Sequence, residues 1–369
     1  MIGPIAPYNS ITKVEIAAAI AAMDDGPLSG YLAGQERGGK MVRALEDAWQ
    51  ETFNVRHAIA CNSNTSGLMA AAFAVGLGPG DDFACPAMTM TATAAAPMFT
   101  GATPIFCDVE DETFGLSVTG LPFEEIDNWP VFATNLFGHP CDLRRIRQWC
   151  DANGTYLIED NAQAPFATER ERYTGCIGHI GVFSLNVHKH FHCGEGGVIV
   201  TNDDHLAWRM RGFINHGEHI MAPIGLNLRM PEVSAAIAGA QLRRAYGLVA
   251  QRVVQAQEII AAIGDIPGIR PPVVRDDCVH VYYTIPFLID GDRAAFCHDL
   301  RNAGVPVVEG YADPLYRMTA FKQFGMRCPN AEDLHDRRLF YIENCAYNFT
   351  HAQISLIGDA FKRAAEKAR

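Results

Sequence analysis

At 369 residues the chain exceeds one ordinary domain of roughly 100 to 200 residues, so a large domain with a smaller companion is the expected plan. Its composition, 49% hydrophobic and 20% charged with a net charge of −12, fits an ordinary enzyme and disfavours a nucleic-acid binder, which needs clustered cations against phosphates. No apolar run reaches about 18 residues and the start, "MIGPIAPYNS", carries no basic stretch, so neither a membrane span nor a secretory signal is expected and the location is read as cytoplasmic.

In chain order, residues 1 to 50 read as helical around a glycine-rich interruption, "DDGPLSGYLAGQERGGK", that suggests an arm or a lid. A regular alternation then begins. "HAIACNS" reads as a strand, Thr65 to Val75 as a helix, "DDFACPAMT" as a strand, "TATAAAPMFTG" as a helix and "TPIFCDV" as a strand. "VFATNLF", a helix from Leu143 to Asn153, and "TYLIED" continue the rhythm, and "GVFSLN" and "GGVIVT" follow. Alternating βαβ units with apolar strands predict a mainly parallel sheet covered on both faces, with ligands beyond the carboxyl ends of its strands. From Pro231 to Gly264 the pattern is one long helix or a kinked pair. "HVYYTIPFLI" as a strand, a helix over 293–303, "VPVVE" and two further helices make a smaller α/β unit. The expected division is residues 1–250 for the arm and large domain and 251–369 for the small one. Eleven cysteines without paired spacing read as reduced and mostly buried thiols.

Between the last two strands of the large unit lies "HKHFHCGEGG". His188, His190 and His192 alternate, so on a strand they share a face, and with Cys193 they invite zinc. No paired-cysteine or HExxH spacing supports this, and the plainer reading is that the histidines are polar loop residues; no metal is expected. Lys189 invites a carbonyl compound. A pyridoxal phosphate enzyme needs an amine, a carboxylate against the ring nitrogen, donors for the phosphate and a lining for the ring. Asp160 ends "TYLIED" where a carboxylate emerges at the ligand-bearing edge, although a turn or N-cap aspartate is an alternative. "CNSNTSG" is a polar strand-to-helix turn of the kind that holds phosphate, or a plain Ser/Thr cap. Ser184, five residues before Lys189, adds a hydroxyl.

"NSNTSGL", "GATPIFCDV", "NLFGHPCDL", "IEDNAQAPFA", "GVFSLNVHKHFHCGEGGVIVTND", "NHGE" and "GLNLRMPEVSAAIAGAQL", in this order, resemble the DegT/DnrJ/EryC1/StrS family of pyridoxal phosphate-dependent sugar aminotransferases. The resemblance runs from about residue 20 to the C-terminus. It implies an α/β fold of type I: a large domain with a mainly parallel seven-stranded sheet, a smaller C-terminal α/β domain, and a homodimer with active sites at the subunit interface. It also implies that Lys189 carries the cofactor as a Schiff base, Asp160 faces the pyridinium nitrogen and Gln163 contacts the ring hydroxyl. Asn64, Thr65 and Ser184 fall where the family holds the phosphate, and Asn227 where the neighbouring subunit reaches in to it. Met90 stands where an aromatic usually stacks on the ring, and Asn64 where glycine is common. His188 and Arg229 are expected substrate contacts, with a turn histidine and an ion-pair arginine as alternatives.

The implied activity is ping-pong transfer of an amino group from L-glutamate or L-glutamine to a keto-sugar, nucleotide-linked, in amino-sugar or polysaccharide biosynthesis. Alternatives are a keto-cyclitol acceptor, a sugar dehydratase in which histidine replaces the lysine, and a regulatory protein that keeps the cofactor fold. Ser184 plus five and the glycine cluster minus five both land on Lys189, which disfavours the dehydratase.

Overall fold

The computed structural model describes residues 1–31, 36–120, 129–218 and 224–367. Helices α1 (Lys13–Asp24) and α2 (Lys40–Phe53) come first. Part of the glycine-rich interruption, residues 32–35, lies outside the described residues. Thr12 and Glu15 cap α1 reciprocally, the pairing that satisfies the orphan amides of a helix start.

Seven strands form the large sheet: β1 (His57–Cys61), β2 (Asp82–Pro86), β3 (Thr103–Cys107), β4 (Val131–Thr134), β5 (Leu157–Asp160), β6 (Ile180–Ser184) and β7 (Gly197–Thr201). Their spatial order is β1-β7-β6-β5-β4-β2-β3, and β7 alone runs against its neighbours. Helices α3 (Asn64–Ala74), α4 (Ala92–Met98), α5 (Leu143–Ala152) and α6 (Asp204–Ile214) return the chain between or after strands. The strands are mostly apolar on both faces because both faces of the sheet are covered. On one side Ala58, Ala60, Phe183, Val198 and Val200 pack with Val42, Leu45, Trp49 and Phe53 of α2. On the other, Ile59, Cys61, Val182 and Ile199 pack with Leu68, Ala71 and Ala72 of α3. Gly67 is the point of closest approach, for a Cβ there would sit 2.5 Å from Val182 Cγ1.

The long helix of the sequence reading is a single one, α7 (Glu232–Ile263), which runs without a break through position 250. A four-stranded antiparallel sheet follows, made of β8 (Ile269–Arg270), β9 (Ile285–Ile289), β10 (Val307–Glu309) and β11 (Leu339–Ile342) in the order β8-β9-β11-β10. Helices α8 (Arg293–Asn302) and α9 (His351–Lys367) pack on it with the end of α7, burying Phe287, Phe296, Phe340 and Phe361. The predicted strand over "HVYYTIPFLI" is shorter than expected. Only 285–289 pairs in the small sheet, whereas Val281 and Tyr283 donate their amides to Gly138 O (2.9 Å) and Phe137 O (2.8 Å) of the large unit. The same apolar alternation serves a strand and a strap between the two sheets, and the partner decides between them. β11 was not read from the sequence. No helix among the described residues is long and apolar enough to cross a membrane.

Candidate active site

Strand register gathers the site. Gly197 at the start of β7 lies opposite both Cys61 and Ser184, Val182 lies beside Asp160, and Asp160 beside Thr134. The ends of four strands thus share one edge, where an open α/β sheet accepts ligands. A cavity of about 320 Å³ opens there. Asn64, Thr65, Met90, Asp160, Gln163, Ser184, His188 and Lys189, drawn from far-apart segments, all line it.

Asp160 is 3% exposed. Its carboxylate accepts a hydrogen bond from Thr93 Oγ1 at 2.7 Å and a longer one from the Ala162 amide at 3.3 Å. Burial pushes its proton affinity up, and the Thr93 hydroxyl works against that. Lys189 sits just past the turn that its own amide closes on Asn186 O (2.9 Å), with Nζ 4.5 Å from the centre of the Tyr283 ring. Desolvation lowers the ammonium to about 8, and the Asp160 charge pulls the other way. A usable fraction of free amine near neutral pH follows, which is what attack on a carbonyl requires.

The "CNSNTSG" turn is the start of α3. Ser63 caps it, taking the Ser66 amide on its side chain and the Gly67 amide on its carbonyl, each at 3.1 Å. The two preceding amides, of Asn64 and Thr65, are the ones a helix start leaves for an anion. "GEGG" has a steric reason: a Cβ on Gly197 would lie 2.6 Å from Ser63 C and O and 2.8 Å from Asn64 N. Only glycine lets β7 pass behind this turn.

Gln163 is fixed at both ends, accepting from the Phe137 amide at 2.7 Å and donating to the Tyr311 hydroxyl at 2.9 Å. Phe137 adopts a left-handed backbone (φ 59°) to present that amide, a conformation that bulky residues keep only when their surroundings impose it. Met90 is half exposed at the cavity mouth, and its sulfur receives the Ala92 amide at 3.0 Å, capping α4.

Arg229, an expected substrate contact, does not line this cavity, and neither does Asn227, expected to act across the subunit interface. Arg229 donates to Asn227 Oδ1 at 3.0 Å and to Asn215 Oδ1 at 3.1 Å, so Arg229 and Asn227 form a separate polar knot. The histidines do not share a strand face, because residues 186–196 form a turn: Val187 N bonds Gly194 O (2.9 Å) and Cys193 N bonds Leu185 O (3.0 Å). His190 is buried with Nε2 on Val281 O at 2.9 Å, His192 is buried separately, and only His188 reaches the cavity. Thr93, Tyr283 and Tyr311 were not singled out from the sequence. For Thr93 the signal was its place at the helix start "TATA" after a strand; for the tyrosines there was none beyond polarity within apolar runs.

An amine, a buried carboxylate and an open helix start at one sheet edge can hold a pyridine aldehyde carrying a phosphate. Residues 29–357 match the DegT/DnrJ/EryC1/StrS aminotransferase family. The chain is 30% identical over 351 residues to the UDP-N-acetyl-3-dehydro-alpha-D-glucosamine 3-aminotransferase of Acidithiobacillus ferrooxidans, covering 90% of this chain and 92% of that one. It is 30% identical over 306 residues to the GDP-perosamine synthase of Escherichia coli O157:H7, covering 80% and 83%. Among solved structures, the aminotransferase from Psychrobacter cryohalolentis superposes with a TM-score of 0.87 at 28% identity over 99% of this chain and all of that one (100%).

Proposed function

The chain belongs to the DegT/DnrJ/EryC1/StrS aminotransferase family, with the α/β fold of type I transferases, and from that premise we propose that it uses pyridoxal phosphate to move an amino group from L-glutamate or L-glutamine to a nucleotide-linked keto-sugar. The observation that carries this is Lys189 and Asp160 lining one cavity, the amine lowered to about 8 by burial and the carboxylate buried with room for a further partner. The nucleotide sugars in the names of its relatives favour such an acceptor.

When bound, the cofactor supplies an electron sink for the negative charge that develops at the donor Cα. Lys189 Nζ would hold the cofactor and, once freed, would take the proton from the donor Cα in one half-reaction and deliver a proton to the acceptor carbon in the other. Asp160 would keep a proton on the ring nitrogen, an arrangement its burial would strengthen because opposite charges attract more in low dielectric. Gln163, locked by Phe137 and Tyr311, orients the ring hydroxyl. The amides of Asn64 and Thr65 with the Ser184 hydroxyl would take the phosphate, and Met90 would line the ring's side of the cavity. In a homodimer the partner subunit's Asn227 completes the phosphate site, which accounts for Asn227 standing away from its own chain's cavity.

The test is to load the protein with pyridoxamine phosphate and offer nucleotide-linked 3-keto and 4-keto sugars beside keto-inositols, following the return of the long-wavelength cofactor band. Amination of a nucleotide sugar is expected; activity confined to keto-inositols moves the acceptor to the cyclitols. Lys189→Ala is expected to abolish the donor reaction and the borohydride-reducible linkage, and normal turnover in that variant overturns the assignment.

A further inference from the structure

Beyond Ile342 the chain leaves β11 in alternation: Ile342 enters the small-sheet core, and Tyr341 and Glu343 share the other face. That face closes a recess of about 130 Å³ with His188, Tyr283, Tyr311 and Cys345. His188, Tyr283 and Tyr311 are also walls of the Lys189 cavity, so the recess adjoins that cavity through three shared side chains.

The backbone that carries Glu343 is fixed. Asn344 is fully buried, donating to Tyr282 O at 2.6 Å and Arg252 O at 3.0 Å and accepting from Gln255 at 2.8 Å, and the Cys345 amide bonds Tyr283 O at 3.2 Å. The Glu343 carboxylate itself is half-buried and takes no hydrogen bond or ion pair from the described residues. Neither lining contains an arginine, and Lys189, the one lysine in either lining, is charge-coupled to Asp160. A carboxylate in a tyrosine-walled recess without a counter-charge attracts a hydrogen-bond donor and repels an anion.

We infer that Glu343 is a specificity residue that selects the amino donor: it accepts a hydrogen bond from the side-chain amide of L-glutamine and disfavours L-glutamate, whose γ-carboxylate would meet it in the same recess. The inference rests on reading the Lys189 cavity as the transamination site. In the donor half-reaction the donor amine would displace Lys189 from the cofactor's carbonyl carbon, the donor Cα–H and Cα–N bonds would break, Lys189 would carry the Cα proton to that carbon, which keeps the nitrogen as an amine, and water would supply the new carbonyl oxygen. The products are 2-oxoglutaramate and the amine form of the cofactor, with no outside oxidant.

Wild-type, Glu343→Gln and Glu343→Ala holoenzymes are mixed with L-glutamine or L-glutamate alone, and the loss of the cofactor band is followed in single turnover as a function of donor concentration. The wild type is expected to favour L-glutamine at least about tenfold, as for a site built around one hydrogen-bond acceptor. Both variants are expected to lose most of that preference through the donor dissociation constant, with L-glutamate gaining, while the saturating rate changes little. A wild type that prefers L-glutamate overturns the inference. So does an unchanged preference in Glu343→Gln or Glu343→Ala with an intact cofactor spectrum. Inertness of the wild type toward both donors, by contrast, brings down the aminotransferase site itself, and the inference with it.

Discussion

Glu159 and Asp160 are consecutive residues of β5, both buried, and burial raises the proton affinity of each. Their surroundings differ. Glu159 points away from the cavity and is saturated by the amides of Gly175 (2.6 Å), Ile177 (2.8 Å) and Gly178 (2.5 Å) and by Asn135 Nδ2 (3.2 Å). Asp160 has one firm donor, Thr93, with weaker support from the Ala162 amide and the Asn64 side chain, and is charge-coupled to Lys189. The difference separates two uses of a buried carboxylate. Four donors make Glu159 a fastener, tying the loop over 175–178 to the sheet, whereas an incompletely satisfied carboxylate retains capacity for a ligand.

The comparison breaks if substitutions at the two positions behave alike. The largest effect is expected from Asp160→Asn, which keeps the shape but loses the charge proposed to face the ring nitrogen. Activity should fall about 10²- to 10³-fold, the scale of one preorganised electrostatic contact. Thermal stability should move by less than about 1 kcal/mol, because the lost charge was itself costly to bury. Steady-state kinetics and thermal unfolding on one preparation check both halves. Glu159→Gln should do the reverse. An amide NH₂ turned toward backbone donors leaves buried N–H groups unsatisfied, so about 2 to 4 kcal/mol of stability is expected to be lost, with kcat per folded molecule retained. Denaturant unfolding measures the first and active-site titration the second.

A smaller effect sharpens the Asp160 side of the comparison. Burial lowers Lys189 to about 8, so below that pH the amine is protonated and unreactive and above it is free. Uptake of pyridoxal phosphate by the apoenzyme should quicken about tenfold per pH unit up to about pH 8 and then level off. Asp160→Asn removes the charge that opposes the lowering, so the break should move to lower pH. A stopped-flow series over pH 6 to 10 reads this, and a break left in place would separate Lys189 from the influence of Asp160.

Much of this architecture was legible in the chain. "HAIAC", "FACP", "IFC", "VFAT", "LIED" and "GVIVT" are short apolar runs bounded by turn residues, and each became a strand of the large sheet. A fully covered sheet demands that pattern whatever its ligand. That Lys189, Asp160 and Gln163 belong to one site was read from motif order, and all three line one cavity. Other features were hidden. Thr93 stands 67 positions before Asp160, and nothing local marks it as the donor to that carboxylate. "HVYYTIPFLI" alternates like a strand throughout, yet its first half is held by Phe137 and Gly138. The histidines of "HKHFHC" suggested a shared face because period two means that on a strand, but the segment is a turn and they diverge.

The amino-acid order by itself determined the alternation of strands and helices, the parallel sheet with its ligand edge, and the candidate lysine at that edge. These follow from short-range pattern and from motifs contiguous in sequence. Only the tertiary structure decided which groups meet at that edge: the register that sets Gly197 against Cys61 and Ser184, the threonine that bonds Asp160, and the recess where Glu343 stands beside the lysine cavity. Burial, proton affinity and hydrogen-bond saturation belong to the neighbours a residue acquires on folding, and those neighbours lie tens to hundreds of positions away.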